Sequence, residues 1–187
     1  MNAIEVLTRR VSISRLAAPA PDESQRQVIF AAALRAADHG QMRPWRFLVV
    51  EGNGLHQLGE VYASAAAQED PELPEAKREK FRSMPLRAPM VIVAIACTQA
   101  NVKVPEIEQV ISAGAAVQNM LNAAYALNVG AFWRSGDMAY SPAVKKSLNL
   151  SESEQIVGYL YLGTPTTSPE PHKPLEITQF FHPWPAK

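Results

Sequence analysis

Arginine and serine are the residue types here whose spacing could do chemistry. Arg9, Arg10 and Arg15 bracket Ser12 and Ser14, Arg35 ends a helix-like run, and Arg134 stands between Trp133 and Ser135. Each one alone reads as a surface ion-pair partner. Together they suggest an anion site. A guanidinium fork grips phosphate through two parallel hydrogen bonds, and serine hydroxyls and turn N–H groups complete such a cradle. A phosphate held this way needs no glycine-rich loop. Between Arg35 and the strand-like "WRFLVVE" lie Asp38, His39, Gly40, Arg43 and Pro44. That loop carries more side-chain chemistry than a connection requires.

Other chemistries drop out. The chain has no G-x-S-x-G, H-E-x-x-H or phosphate-loop signature. His39, His56, His172 and His182 show no metal-ligand spacing. Gly52-Asn53-Gly54 imitates the opening of a dinucleotide fingerprint, but Gln57 stands where the third glycine belongs. The single Cys97 excludes an intramolecular disulfide and a multi-cysteine zinc site. Within "VIVAIACT" it reads as a small apolar residue of a buried strand. A formal net charge of zero disfavours non-specific binding to nucleic acid or anionic membrane. The opening "MNAIEVLTRR" lacks the basic-then-apolar pattern of a secretion signal. Gln118, Asn119, Asn122 and Asn128 interrupt the uncharged stretch from Ile111 to Trp133 as a membrane span. A cytoplasmic chain with no nucleic-acid or membrane partner is expected.

The elements that must position these residues follow from periodicity. With 187 residues, 47% hydrophobic and 19% charged, one globular domain is expected. Asn2 and Glu5 fit a capping box, predicting a helix from Ala3 to Arg9. An irregular stretch "VSISRLAAPAP" follows. A second helix is expected over 23–37, a strand over 45–51 and a helix over 54–67. The charged segment "QEDPELPEAKREKFRSMP" reads as a mobile cover, residues 68–85, with one short helix. The nearly continuous apolar run 88–98 predicts a strand covered on both faces.

Residues 104–127 predict a long helix apolar on two sides, one stripe carrying Ile107, Ile111, Val117 and Leu121 and the other Ala113, Ala116 and Met120. In a chain this short, the second cover would be another subunit. "VGAFWRS" is a short strand, Ser141-Pro142 caps a helix to Leu148, and 155–163 is the last strand. The Pro-rich tail carries Phe180, Phe181 and Trp184, so it is expected to dock on protein.

The segments "RRVSISR", "RAADHGQMRPWRF", "SAGAAVQNMLNAAYALNVGAFWRSG" and "VGYLYLGTP" occur in this order. In this the chain resembles the flavin-dependent nitroreductase family, in its short YdjA-type NAD(P)H nitroreductase branch. The resemblance implies an α+β fold with a central, mainly antiparallel sheet flanked by helices. It implies a homodimer with FMN at the subunit interface, the whole of 1–187 forming one domain and the tail 164–187 docking on the dimer. By the same resemblance the FMN contacts are Arg10, Val11, Ser12, Arg35, His39, Trp133, Arg134 and Ser135. Val11 departs from the family's usual polar residue and can lend only its backbone. His39 is a hydrogen-bond partner or packing wall for the flavin rather than a general base. Ala123, Ala124, Tyr125, Ala126, Leu127 and Asn128 correspond to a segment linked with NAD(P) binding. Flavin carries the chemistry, so no catalytic side chain is assigned. The implied activity is electron transfer from NAD(P)H to nitroaromatic or quinone-like acceptors by a ping-pong hydride mechanism. A non-catalytic flavin-binding or flavin-storage protein is the alternative.

Overall fold

The apolar run before Cys97 becomes the centre of the molecule. In the computed structural model, which describes residues 1–101, 103–168 and 172–184, it forms strand β3 over Met90–Cys97. Every side chain from Met90 to Ala96 is at most 1% exposed. Burial of each valine, isoleucine or methionine there contributes about 1.5–3 kcal/mol. The other strands are β1 (Leu16–Ala17), β2 (Trp45–Glu51), β4 (Gly130–Arg134) and β5 (Glu154–Pro165). They run in the order β1-β5-β3-β2, with β4 also paired to β5, and every pairing among them is antiparallel. The architecture is α+β, a mainly antiparallel sheet flanked by helices.

Side chains alternate along β3. Met90, Ile92 and Ala94 enter one apolar layer, while Val91, Val93 and Ile95 enter the other. The first layer is closed by helices α2 (Glu23–Ala33) and α5 (Glu106–Ala126). The second is closed by α3 (Asn53–Glu69), α6 (Asp137–Tyr140) and α7 (Pro142–Ser147). Helix α4 (Glu75–Ser83) and the 3-10 turn Met84–Arg87 lie against α3. The approach is close enough that a Cβ on Gly59 would meet the Arg82 carbonyl oxygen at 2.1 Å. The charged 68–85 segment thus completes α3 and then forms a packed helix.

Helix α1 (Ala3–Arg9) lies against α5 and starts with the expected box. The Glu5 N–H donates to Asn2 Oδ1 at 2.9 Å, and the Asn2 N–H donates to Glu5 Oε2 at 3.0 Å. Asp22 and Gln25 repeat the device on α2.

Four expectations change. Helix α2 stops at Ala33 rather than Ala37, because the chain tightens into i−3 hydrogen bonds at Arg35 and Ala36 before the Asp38 loop. The irregular segment contains β1, two residues long, which no periodicity could reveal. Ser141 precedes α7 with Pro142 in its first turn as expected, but its hydroxyl donates to Glu69 Oε1 at 2.6 Å instead of capping. Ile107 and Ile111, assigned to a buried stripe, are 63% and 62% exposed in the protomer.

The tail from Leu175 to Trp184 is exposed, including Phe180, Phe181 and Trp184. Residues 169–171 and 185–187 of the tail lie outside the described residues. Among the described residues, no helix is long and apolar enough to cross a membrane, and no cluster of His, Cys, Asp or Glu could hold a metal ion.

Candidate active site

Strand β4 sorts its side chains by alternation. Trp133 faces α5, where its ring lies 3.8 Å from a Cβ position on Gly114, and its Nε1–H donates to the Val157 carbonyl at 3.3 Å. A Cβ on Gly158 would meet Trp133 Nε1 at 2.2 Å, so glycine is required there for the indole to lie flat on β5. Phe132 and Arg134 face the opposite side. The Arg134 guanidinium carbon lies 4.0 Å from the Phe132 ring centroid and 5.6 Å from that of Tyr161.

Arg134 opens a cleft of about 350 Å³ between α3, the 84–87 turn and the end of β4. Tyr62, Phe81, Met84, Tyr159 and Tyr161 supply apolar and aromatic walls, and Arg87 enters from the 3-10 turn. Ser135 and Gly136 form an exposed mouth. Gly136 has φ +69°, and a Cβ there would meet nothing within 4 Å, so the backbone is open to an approaching ligand. Arg134 Nε is buried with no hydrogen-bond partner. Burial first, and then the charge of Arg87, lower the guanidinium pKa of Arg134 from its ordinary value. Neither arginine has a carboxylate oxygen within 4 Å among the described residues. Tyr62 adds a second orphan, since its buried hydroxyl has no partner, whereas the Tyr159 hydroxyl donates to the Met138 carbonyl at 3.0 Å. Burial raises the pKa of both phenols, so neither ionises near neutrality.

The N-terminal triplet lies near the same strand. Arg10 ends α1, and its Nη1 donates to Ser12 Oγ at 3.4 Å. The Ile13 N–H donates to the Ala131 carbonyl at 2.9 Å and pins this segment to β4. Val11 is buried, so its side chain belongs to the core and only its backbone is available.

Arg35 and His39 are elsewhere. Arg35 lines a different cleft with Asp38, Gln41, Arg43 and Trp45, next to the end of α2. Asp38 organises that loop, its carboxylate accepting from the Met42 N–H at 3.2 Å and the Arg43 N–H at 2.7 Å. These bonds hold Gly40, Gln41 and Arg43 at positive φ. His39 Nδ1 lies 2.6 Å from Glu108 Oε2 on α5. Within one protomer the Arg134 cleft and the Arg35 cleft have no lining residue in common.

Ala123 to Asn128 lead into the start of β4, whereas Arg134 is at its other end, about 13 Å away at strand rise. Ala124 is buried in the core, while Ala126 and Asn128 are exposed. Sequence reasoning missed Arg87 and Tyr62. Its one available signal for Arg87 was a charge held between Pro85 and Pro89 immediately before a buried strand.

A third polar cluster lies at the far end of β3. Arg46 Nε donates to Glu154 Oε1 at 2.5 Å, and Cys97 Sγ is 3.4 Å from the same oxygen. Arg46 pulls the Glu154 carboxyl down to about 2, while burial and then Glu154 push the Cys97 thiol up to about 11.

A model described as "Nitroreductase family" matches residues 7–164. This chain belongs to the nitroreductase family. It is 45% identical over 168 residues to the "Putative NAD(P)H nitroreductase YdjA" of Escherichia coli (strain K12), covering 88% of this chain and 89% of that protein. A "Putative NAD(P)H nitroreductase" of Haemophilus influenzae is 36% identical over 165 residues, with the same coverage of 88% and 89%. Among solved structures, a nitroreductase-like family protein from Bacillus cereus superposes with a TM-score of 0.86 at 23% identity, covering 100% of this chain and 97% of that one. A "putative nitroreductase in complex with fmn" from Desulfovibrio desulfuricans superposes with a TM-score of 0.73 at 23% identity, covering 99% of both chains. These two likenesses concern the fold. Membership in the nitroreductase family makes the chain an oxidoreductase.

Proposed function

We propose that the protein is an FMN-dependent oxidoreductase that passes electrons from NAD(P)H to nitroaromatic or quinone-like acceptors and works as a homodimer. One observation carries the reading: the partnerless Nε–H of Arg134 among aromatic walls at the end of β4. A flat group with hydrogen-bond acceptors along one edge fits there, because it would satisfy the guanidinium and stack on the rings. The isoalloxazine ring of FMN is flat and carries carbonyl and ring-nitrogen acceptors on one edge. When bound, it would supply the two-electron chemistry, accepting hydride from NAD(P)H and releasing electrons to an acceptor in alternation.

The chain's own residues do the rest. Arg10 and Ser12 would hold the phosphate, with the backbone of Val11 beside them. Ser135 offers its exposed backbone and hydroxyl at the cleft mouth, and Trp133 stiffens the strand behind it. The buried tyrosines exclude water from the inner wall. Ala123 to Asn128 remain the proposed NAD(P) contact on the strength of the resemblance alone.

Arg35 and His39 line no cleft with Arg134 in one protomer. A second protomer supplying them would reconcile their assignment with the geometry. Two features favour such a pair. Ile4, Leu7, Ile107 and Ile111 are exposed on α1 and α5, and the tail exposes Phe180, Phe181 and Trp184 at 61%, 76% and 93%. The tail would dock on that partner.

The test begins with the visible spectrum of the purified protein and its bleaching by NADPH. Arg10→Ala is expected to purify without flavin and without NAD(P)H oxidation. Full flavin and unchanged turnover in that variant would refute the phosphate assignment. Flavin that binds tightly but never bleaches with NADH or NADPH would favour the storage reading.

A further inference from the structure

Resting on the flavin reading above, we infer that Arg87 is a further cofactor-binding residue: with Arg134 it holds the polar edge of the flat ring, where reduction leaves negative charge, and not the phosphate.

Two guanidiniums reach one cleft from different elements, Arg87 from the 84–87 turn and Arg134 from β4. Asp137 is the one acidic residue lining that cleft, and it pairs with neither arginine within 4 Å among the described residues. Arg9, Arg10, Arg15, Arg35 and Arg43 also have no carboxylate within 4 Å among the described residues, but Arg134 differs from them in its buried, unpartnered Nε, and the arginines that are paired sit close to their partners. Arg26 has Glu51 at 2.6 Å, Arg46 has Glu154 at 2.5 Å, and Arg82 has Glu60 at 2.6 Å. Arg134 is half-buried and Arg87 exposed, and the Arg87 charge is one of the causes that lower the Arg134 pKa, so a negative group joining both would relieve that repulsion. The walls are rings, which suits a planar ligand rather than a bare phosphate. The phosphate already has candidates in Arg10 and Ser12, on the segment that Ile13 pins to β4. A cleft of about 350 Å³ accommodates one end of a large flat ligand.

The chemistry explains why two positive charges help. Hydride carries two electrons and one proton from NAD(P)H, which leaves as NAD(P)+. If no second proton is taken up, one negative charge remains on the ring. Arg87 and Arg134 would already be in place before reduction, and would stabilise that charge as it forms with no reorganisation needed.

The test is a double comparison on apoprotein. Wild type, Arg87→Gln, Arg87→Lys and Arg10→Ala are titrated with FMN and with riboflavin by fluorescence quenching, and midpoint potentials are measured on the loaded forms. Arg87→Gln is expected to weaken both flavins alike, by about tenfold, as loss of a charged hydrogen bond does. It also makes the midpoint potential more negative, and Arg87→Lys recovers part of it. Arg10→Ala weakens FMN but leaves riboflavin unchanged. Selective loss of FMN in Arg87→Gln would make Arg87 a phosphate ligand and overturn the assignment. Unchanged affinities and potential would reduce Arg87 to a surface residue. A wild-type protein binding neither flavin would sink the flavin reading itself.

Discussion

The two faces of the sheet are built on the same strands and end differently. On the α5 side, Met90, Ile92, Leu160 and Leu162 meet Ile29, Ala116, Val117 and Met120, and all are at most 1% exposed. On the α3 side, the same strands present Val91 and Val93 of β3 directly across from Tyr161 and Tyr159 of β5, with Ile95 beside Ile156. Aliphatic residues seal the first face. Tyrosines on the second leave polar tips and a gap that Arg134 enters. The cleft therefore arises from residue type at alternate positions of β5, next to the bulge at Val157 where its register against β3 shifts. Burial dominates one face, and hydrogen-bond satisfaction decides the other.

That contrast can be broken on purpose. Ile92→Ala on the sealed face is expected to cost about 2–5 kcal/mol by cavity formation. Urea unfolding measures it, and flavin affinity per folded molecule should hold. Gly59→Ala acts on the open face, where the new methyl group would collide with the Arg82 carbonyl and push α4 away from α3. A cost of about 1–3 kcal/mol is expected for such overpacking. Because Phe81 and Met84 line the cleft, flavin affinity should fall as well. A cost in stability with affinity untouched would separate α4 from the site. Tyr62→Phe gives the smallest effect and the opposite sign. It removes a buried hydroxyl that has no partner, so stability should rise by about 1 kcal/mol. A loss instead would mean that this hydroxyl is satisfied in solution.

Legibility in the sequence followed the same divide. β3 was readable because an unbroken apolar run has one structural solution, burial on both faces. β4 was readable as a short strand, but that Trp133 and Arg134 lie on opposite sides of it emerges only from the structure. The capping pair Asn2 and Glu5 located the start of α1, and the apolar face of Val28, Ile29, Ala32 and Ala33 located α2. The end of α2 was not readable, since Leu34 to Ala37 continue its apolar composition while the Asp38 turn determines where the helix stops. β1 has too few residues to show any period. Arg87 was hidden for another reason: its meaning depends on Arg134, which the antiparallel pairing of β4 and β5 brings near from far along the chain. A helical stripe records apolarity, not which molecule covers it, and Ile107 and Ile111 are exposed in the protomer on a helix for which a second subunit is the expected cover.

Cys97 carries a last consequence. Only the thiolate attacks electrophiles, and burial with the neighbouring Glu154 holds this thiol near 11. At neutral pH little thiolate is present, so this half-buried thiol should react with maleimides more slowly in the folded molecule than after β3 and β5 part. The native chain carries its own chemical clock for sheet opening, with no engineered label.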